Sequence, residues 1–263
     1  FRNLYMYVRI KSKVVLSLMK NLKIAIFAYD FPNRKCLNGM QIIKKFNPEK
    51  VYTLTQPWLE LNISRSEKRI AVFDDEVLNP TDVAISYGWQ VHTGIHNSKE
   101  TIDYLNKIEP DIGIILGARI LSKEIIKCFS KGIINFHPGI LPENRGLDTV
   151  KWAIYNDLPQ GITTHFIDEK IDVGDKIYLE TISLNNDDSI YDINSKLVYV
   201  QMKHLNKLLE DNFQISNLES LESEFPSRKA VSDEIDRDVF EKFEEYKKNY
   251  DNILDKYNSH NNF

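Results

Sequence analysis

The sequence predicts an α/β fold: a Rossmann-like, doubly wound, mainly parallel sheet with a small C-terminal α/β extension. Three observations predict it. Short, continuous apolar runs such as LKIAIFA (22–28) and DIGIIL (111–116) have the character of strands covered on both faces. Between such runs stand stretches with helical spacing, so strand and helix alternate over the first 160 or so residues. The composition, 42% hydrophobic and 27% charged over 263 residues, is that of an ordinary globular chain with room for one large α/β domain.

Taken in order, 22–28 is the first strand, ended by turn residues Asp30, Pro32 and Asn33. Residues 37–46 then read as helix and 51–55 as the second strand. A helix over 81–87 follows the Asn79-Pro80 start signal, and 89–93 is the third strand. Ile102, Leu105 and Ile108 space out a helix over 98–108, and 111–116 is the fourth strand. Ser122 is the N-cap of a helix over 123–129, 132–136 is the fifth strand, and 149–155 is helical. Past Gly161 come strands over 162–167 and 176–182 and a long helix over 189–209. From about 213 the chain turns polar and acidic, with one surface helix over 238–254. The expected domains are a catalytic unit over 19–212 and an acidic helical extension over 213–263. Residues 1–18 form a basic N-terminal extension that begins with Phe1 and is given no role.

Several classes are set aside. A pI near 5.9 opposes general affinity for nucleic acid or anionic membrane. No apolar run approaches the roughly 20 residues of a membrane span, and the N-terminus has no small-residue cleavage site, so a cytoplasmic location is expected. Cys36 and Cys128 are expected to be reduced thiols, and His92, His96, His204 and His260 show no metal-ligand spacing with carboxylates, so no metal is expected.

Chemistry gathers where the fifth strand ends, in INFHPGILPENRG (134–146), the edge at which open α/β sheets bind ligands. Asn135 and His137 are two apart on extended chain and face one side, an amide donor and an imidazole that can polarise a carbonyl and manage a proton. Downstream, GITTHFIDEKIDVGD (161–175) carries a strand into an acidic loop ending at Asp172.

These segments resemble the N10-formyltetrahydrofolate-dependent formyltransferases. The family pattern N-x-H-P-S/G-x-L-P-x-x-x-G is matched by Asn135, His137, Pro138, Gly139, Leu141, Pro142 and Gly146. The following G-x-T-x-H…D-x-G is matched by Gly161, Thr163, His165, Asp172 and Gly174, and ARIL (118–121) is similar to the family's folate-side segment. The resemblance implies that Asn135 donates to the developing oxyanion, that His137 acts at the same centre, and that Asp172 orients His137 or relays its proton. It implies that N10-formyltetrahydrofolate is held by Arg119, Ile120, Leu121, Asp168, Glu169 and Ile171. His165 is expected to support the core rather than act.

Among relatives, the glycinamide ribonucleotide enzyme carries a Gly/Ser-rich phosphate cradle after its first strand, where this chain has AYDFPNRKC (28–36). The initiator methionyl-tRNA enzyme carries a C-terminal barrel domain and the formyltetrahydrofolate hydrolase an N-terminal regulatory domain, and neither is expected here. The bacterial sugar N-formyltransferases remain, with a catalytically weak binding protein on the same scaffold as the alternative from another class. RGLDTVKWAI (145–154) is similar to their R-G-x-x-P-x-x-W segment, with Thr149 where Pro would stand. The acceptor implied is a nucleotide-linked amino-dideoxy sugar for surface polysaccharide, with Arg34, Lys35, Gly139, Arg145 and Gly146 as its contacts. Trp152 reads as core. A homodimer is expected by analogy with related enzymes.

Overall fold

The structure, a computed structural model, describes residues 22–59, 78–170, 172–221 and 225–261. Its strands are β1 (Lys23–Tyr29), β2 (Lys50–Gln56), β3 (Gln90–Thr93), β4 (Ile112–Ile115), β5 (Ile133–His137), β6 (Gly161–Phe166), β7 (Gly174–Thr181) and β8 (Glu219–Leu221). The helices are α1 (Arg34–Phe46), α2 (Pro80–Ser86), α3 (Lys99–Ile108), α4 (Lys123–Ile126), α5 (Thr149–Tyr155), α6 (Ile190–Glu210), α7 (Asp233–Lys248) and α8 (Tyr250–Asn261). The strands form one mostly parallel sheet in the order β3-β2-β1-β4-β5-β6-β7-β8. The doubly wound α/β class is the one the apolar runs imply.

The chain falls into two compact units. Among the described residues the first comprises 22–59, 78–135 and 202–217, and the second 136–170, 172–201, 218–221 and 225–261. In the first, β1 lies between β2 and β4, with Phe27 opposite both Leu54 and Ile115. Ile24, Ile26, Phe27, Leu54, Ile112 and Ile114 are buried, the double burial that a continuous apolar run requires. Helix starts obey local capping: Asn33 accepts Cys36 N–H at 3.0 Å, and Ser98 accepts Thr101 N–H at 3.3 Å. Because Asn33 is the cap, α1 begins three residues before the expected Leu37, and Arg34 and Lys35 are helix residues.

The second unit packs α5, the start of α6, α7 and α8 around Ile154, Ile162, Ile193, Leu197, Val239, Phe243 and Tyr250. Tyr250 ties this core together: its hydroxyl accepts Gln160 N–H at 2.8 Å and donates to the Ile182 carbonyl at 3.0 Å. Lys151 and Asp236 form a buried ion pair between α5 and α7. Two features differ from the expectation. The single helix over 238–254 is two, α7 and α8, meeting at Asn249, and α7 begins earlier because Ser232 caps it ahead of Asp233, Glu234 and Asp236. β8 is unforeseen, a short polar strand antiparallel to the start of β7.

Candidate active site

The site is built on the end of β5. Ile133 and Ile134 pair with Gly113 and Ile114 of β4, which brings the strand out at Asn135, half-buried, and His137, 3% exposed. Strand alternation sends both side chains to one face. Within the second unit, His137 Nδ1 lies 3.3 Å from Asp172 Oδ1. Its Nε2 lies 2.8 Å from the Asn144 carbonyl oxygen, which can only accept, so that nitrogen carries a hydrogen.

Asp172 adopts φ +48°, and its second oxygen accepts Gly146 N–H at 2.7 Å. Burial alone would push the Asp172 carboxyl up. The adjoining His137 imidazole and the Gly146 N–H outweigh it and hold the group below its ordinary value. His165 is fully buried, with Nδ1 3.1 and 3.2 Å from the Phe166 and Val173 carbonyls, and burial together with neighbouring His137 pulls it down to about 4. It is a neutral, structural histidine beside the pair.

The loop after β5 is shaped to meet His137. A Cβ on Gly139 would stand 2.5 Å from the Asn144 carbonyl and 2.9 Å from His137 Nε2, so only glycine lets that carbonyl reach the ring. Thr163 pins the loop from β6, donating to the Gly139 carbonyl at 2.8 Å and accepting Leu141 N–H at 3.0 Å. Thr149 donates to the Pro138 carbonyl, and Asn144 Nδ2 to the Thr149 carbonyl at 2.8 Å.

A cavity of about 550 Å³ opens in the same unit, lined by Arg145, Phe166, Asp168, Lys170, Gly174 and Ser220 among others. It brings together Arg145, expected on the acceptor side, and Asp168, expected on the folate side. Glu169 is exposed beside Asp168. Ile171 lies outside the described residues.

The remaining expected contacts belong to the first unit. Arg119 donates to the Leu59 carbonyl at 2.7 Å. Ile120 is 60% exposed while Leu121 is 3% exposed, so of the two apolar side chains only Ile120 is open to a ligand. Arg34 is exposed at the start of α1, and burial pulls the Lys35 ammonium down to about 8. Among the described residues no three His, Cys, Asp or Glu side chains converge as a metal site needs, and no helix is long and apolar enough to cross a membrane.

The formyl transferase family model matches residues 68–209, more than half of the chain. This chain belongs to the formyl transferase family. A methionyl-tRNA formyltransferase of Clostridium tetani is 31% identical over 139 residues, covering 51% of this chain and 45% of the relative. The chain spans about half the length, or less, of the curated relatives it matches. In fold it is similar to phosphoribosylglycinamide formyltransferase from Bacillus halodurans (TM-score 0.57, 20% identity, 73% of this chain and 95% of that one). It is also similar to WlaRD, a sugar 3N-formyltransferase solved in the presence of dTDP and 5-N-formyl-THF (TM-score 0.53, 19% identity, 76% of this chain and 66% of that one).

Within this formyl transferase domain some participants had no sequence signal. The Asn144 carbonyl and Gly146 N–H act through main chain, which every residue owns. Thr163 stood in the G-x-T motif without a role, and its two loop hydrogen bonds supply one.

Proposed function

We propose that the chain transfers a formyl group from N10-formyltetrahydrofolate to the amine of a nucleotide-linked amino-dideoxy sugar. dTDP-4-amino-4,6-dideoxyglucose is an example, and the product would serve surface polysaccharide. The observation that carries the reading is the buried His137–Asp172 pair, two residues beyond Asn135 on the end of β5 and close in sequence to the cavity residues Arg145 and Asp168.

The chemistry asked of the residues is modest. The folate supplies the formyl carbon and the N10 leaving group. The acceptor amine, as free base, attacks that carbon, the bond to N10 breaks, and the amine's proton ends on N10. Asn135 donates its side-chain amide to the charge growing on the formyl oxygen, a contact of a kind worth about 10²–10³ in rate. His137 stands at the same centre, and Asp172 holds it in place. The exposed Ile120 beside Arg119 suits apolar packing against a pterin ring.

For the acceptor, support comes from the turn after β1. Asp30 accepts Thr81 Oγ1–H at 2.7 Å there, and a carboxylate at that edge opposes a phosphate cradle of the glycinamide ribonucleotide kind. The nucleotide-sugar reading also agrees with the dTDP and folate named for WlaRD. The curated tRNA-acting relatives favour a second reading, formylation of methionyl-tRNA. Against it stands the acidic start of α7, Asp233, Glu234 and Asp236, where a phosphate backbone would want Lys or Arg.

The test is a mass-spectrometric screen of dTDP- and UDP-linked amino sugars, glycinamide ribonucleotide and methionyl-tRNA with the folate donor. A sugar that gains one formyl group supports the proposal. Formylation of tRNA or glycinamide ribonucleotide alone would replace it, and formate released without any acceptor would make the chain a hydrolase.

A further inference from the structure

The segment 225–231 is bonded along its length to the loop after β5 and the start of α5. Phe225 O accepts Arg145 Nη1–H at 3.1 Å. Arg228 N–H donates to the Arg145 carbonyl at 2.9 Å, and its own carbonyl accepts Leu147 N–H at 3.0 Å. This is a one-residue parallel bridge with Gly146 at its centre. Gly146 has φ +106°, and a Cβ there would run into the Arg228 backbone, so the two chains touch main chain to main chain. Lys229 O accepts Trp152 Nε1–H at 2.8 Å, the Arg228 guanidinium lies 5.2 Å over the Trp152 ring, and Val231 N–H donates to Asp148 Oδ2 at 3.0 Å.

The residue thus clamped presents its other edge to the reaction centre, because the Gly146 N–H is the donor that Asp172 accepts at 2.7 Å. We propose that the strap 225–231 is a positioning element of the active site: by clamping Arg145–Leu147 it fixes the Gly146 N–H, and through it the placement of Asp172 against His137. The same clamp sets the backbone of Arg145, whose side chain lines the cavity. The chain's polar C-terminal region thereby acts on the site through its bonds to 145–148. The inference rests on the reading of His137 and Asp172 given above.

Asp148 offers a clean test, because it holds the end of the strap and its side chain is exposed. Asp148→Gly frees Val231 N–H without straining the left-handed backbone there (φ +49°), Asp148→Ala frees it with that strain added, and Asp148→Asn keeps an acceptor and tolerates that backbone. With N10-formyltetrahydrofolate and dTDP-4-amino-4,6-dideoxyglucose, D148G is expected to lower kcat about five-fold, the worth of one ordinary hydrogen bond, with KM for both substrates unchanged. D148N is expected to restore kcat. W152F, which removes the donor to Lys229, should repeat the D148G signature.

A readout independent of turnover is the Gly146 amide proton resonance. In the native chain it should lie downfield and titrate with the Asp172 carboxyl; in D148G it should move upfield, and in D148N return. Folded D148G and W152F with native kcat and an unmoved Gly146 resonance would overturn the strap's role. If the native chain formylates no acceptor, the functional reading fails, and the amide resonance alone decides the positioning.

Discussion

Replacing Asp172 by Asn removes one charge and almost no volume, so its consequence follows from the geometry. The carboxylate stands 3.3 Å from His137 Nδ1. At an effective dielectric of about 20 that separation is worth about 5 kcal/mol of attraction to a protonated ring, before desolvation is counted. Removing one partner of a buried pair costs about 3–5 kcal/mol, and the Asp172 side chain, 14% exposed, belongs toward the lower end. If that loss falls on the transition state, kcat drops about 10²–10³-fold. KM for the folate should change little, because the amide of Asn still accepts Gly146 N–H. The assay is formylated product per unit time by mass, alongside urea unfolding at several pH values. Asp172 is held below its ordinary 3.8 in the fold, so its stabilising contribution is complete above that value and is lost as pH falls through the folded one. The stability gap between native and variant should therefore close as pH falls below about 4. A D172N enzyme with kcat within about five-fold of native would refute the reasoning.

Three further outcomes are expected. Gly139→Ala places a methyl 2.5 Å from the Asn144 carbonyl, so the loop must move off His137, with kcat reduced and stability lowered by about 1–3 kcal/mol in urea titrations. Tyr250→Phe leaves the buried Gln160 N–H without its 2.8 Å acceptor and should cost about 1–3 kcal/mol with little change in KM. Burial pulls His96 and His165 from 6.5 to about 4, so both are neutral in the fold while the unfolded chain takes up protons first. Stability should fall as pH drops from 6.5 through 4, by up to roughly 3 kcal/mol for each; a flat urea midpoint over that window would contradict it.

What could be read from the chain divides along physical lines. Strands β1, β4 and β5 are buried on both faces, which demands unbroken apolar runs, and such runs are conspicuous. Ser122 announces a helix start because a cap needs a side-chain acceptor at one position. β8 could not be seen: Glu219-Ser220-Leu221 has no alternation, and its pairing to β7 is tertiary. The α7–α8 break at Asn249 has neither Pro nor Gly to mark it. At the candidate site, the spacing of Asn135 and His137 raised only a suspicion, and their roles and that of Asp172 were expected through resemblance. Their fixing by the Asn144 carbonyl, the Gly146 N–H and segment 225–231 was not, because backbone donors and acceptors leave no trace in residue identity.

On the proposed function, the hydrogen bonds at His137 also divide labour between that ring and Asp172. Nε2 meets a carbonyl and Nδ1 a carboxylate, so both ring nitrogens are engaged within the protein. A ring so engaged offers no open lone pair to the proton that, on the proposed function, the attacking amine must shed. That proton needs an acceptor with an open lone pair, and Asp172, partly exposed, has one. Because the carboxyl is held below its ordinary value, it would keep the proton only briefly before yielding it toward N10, as a relay should. On the proposed function, His137→Gln tests this division. It keeps a polar side chain beside Asp172 but removes the imidazole, the principal cause of the Asp172 depression, so the acid limb of the kcat profile should move to higher pH as kcat falls. An acid limb that stayed in place would take Asp172 out of the relay and leave the amine to lose its proton directly to water.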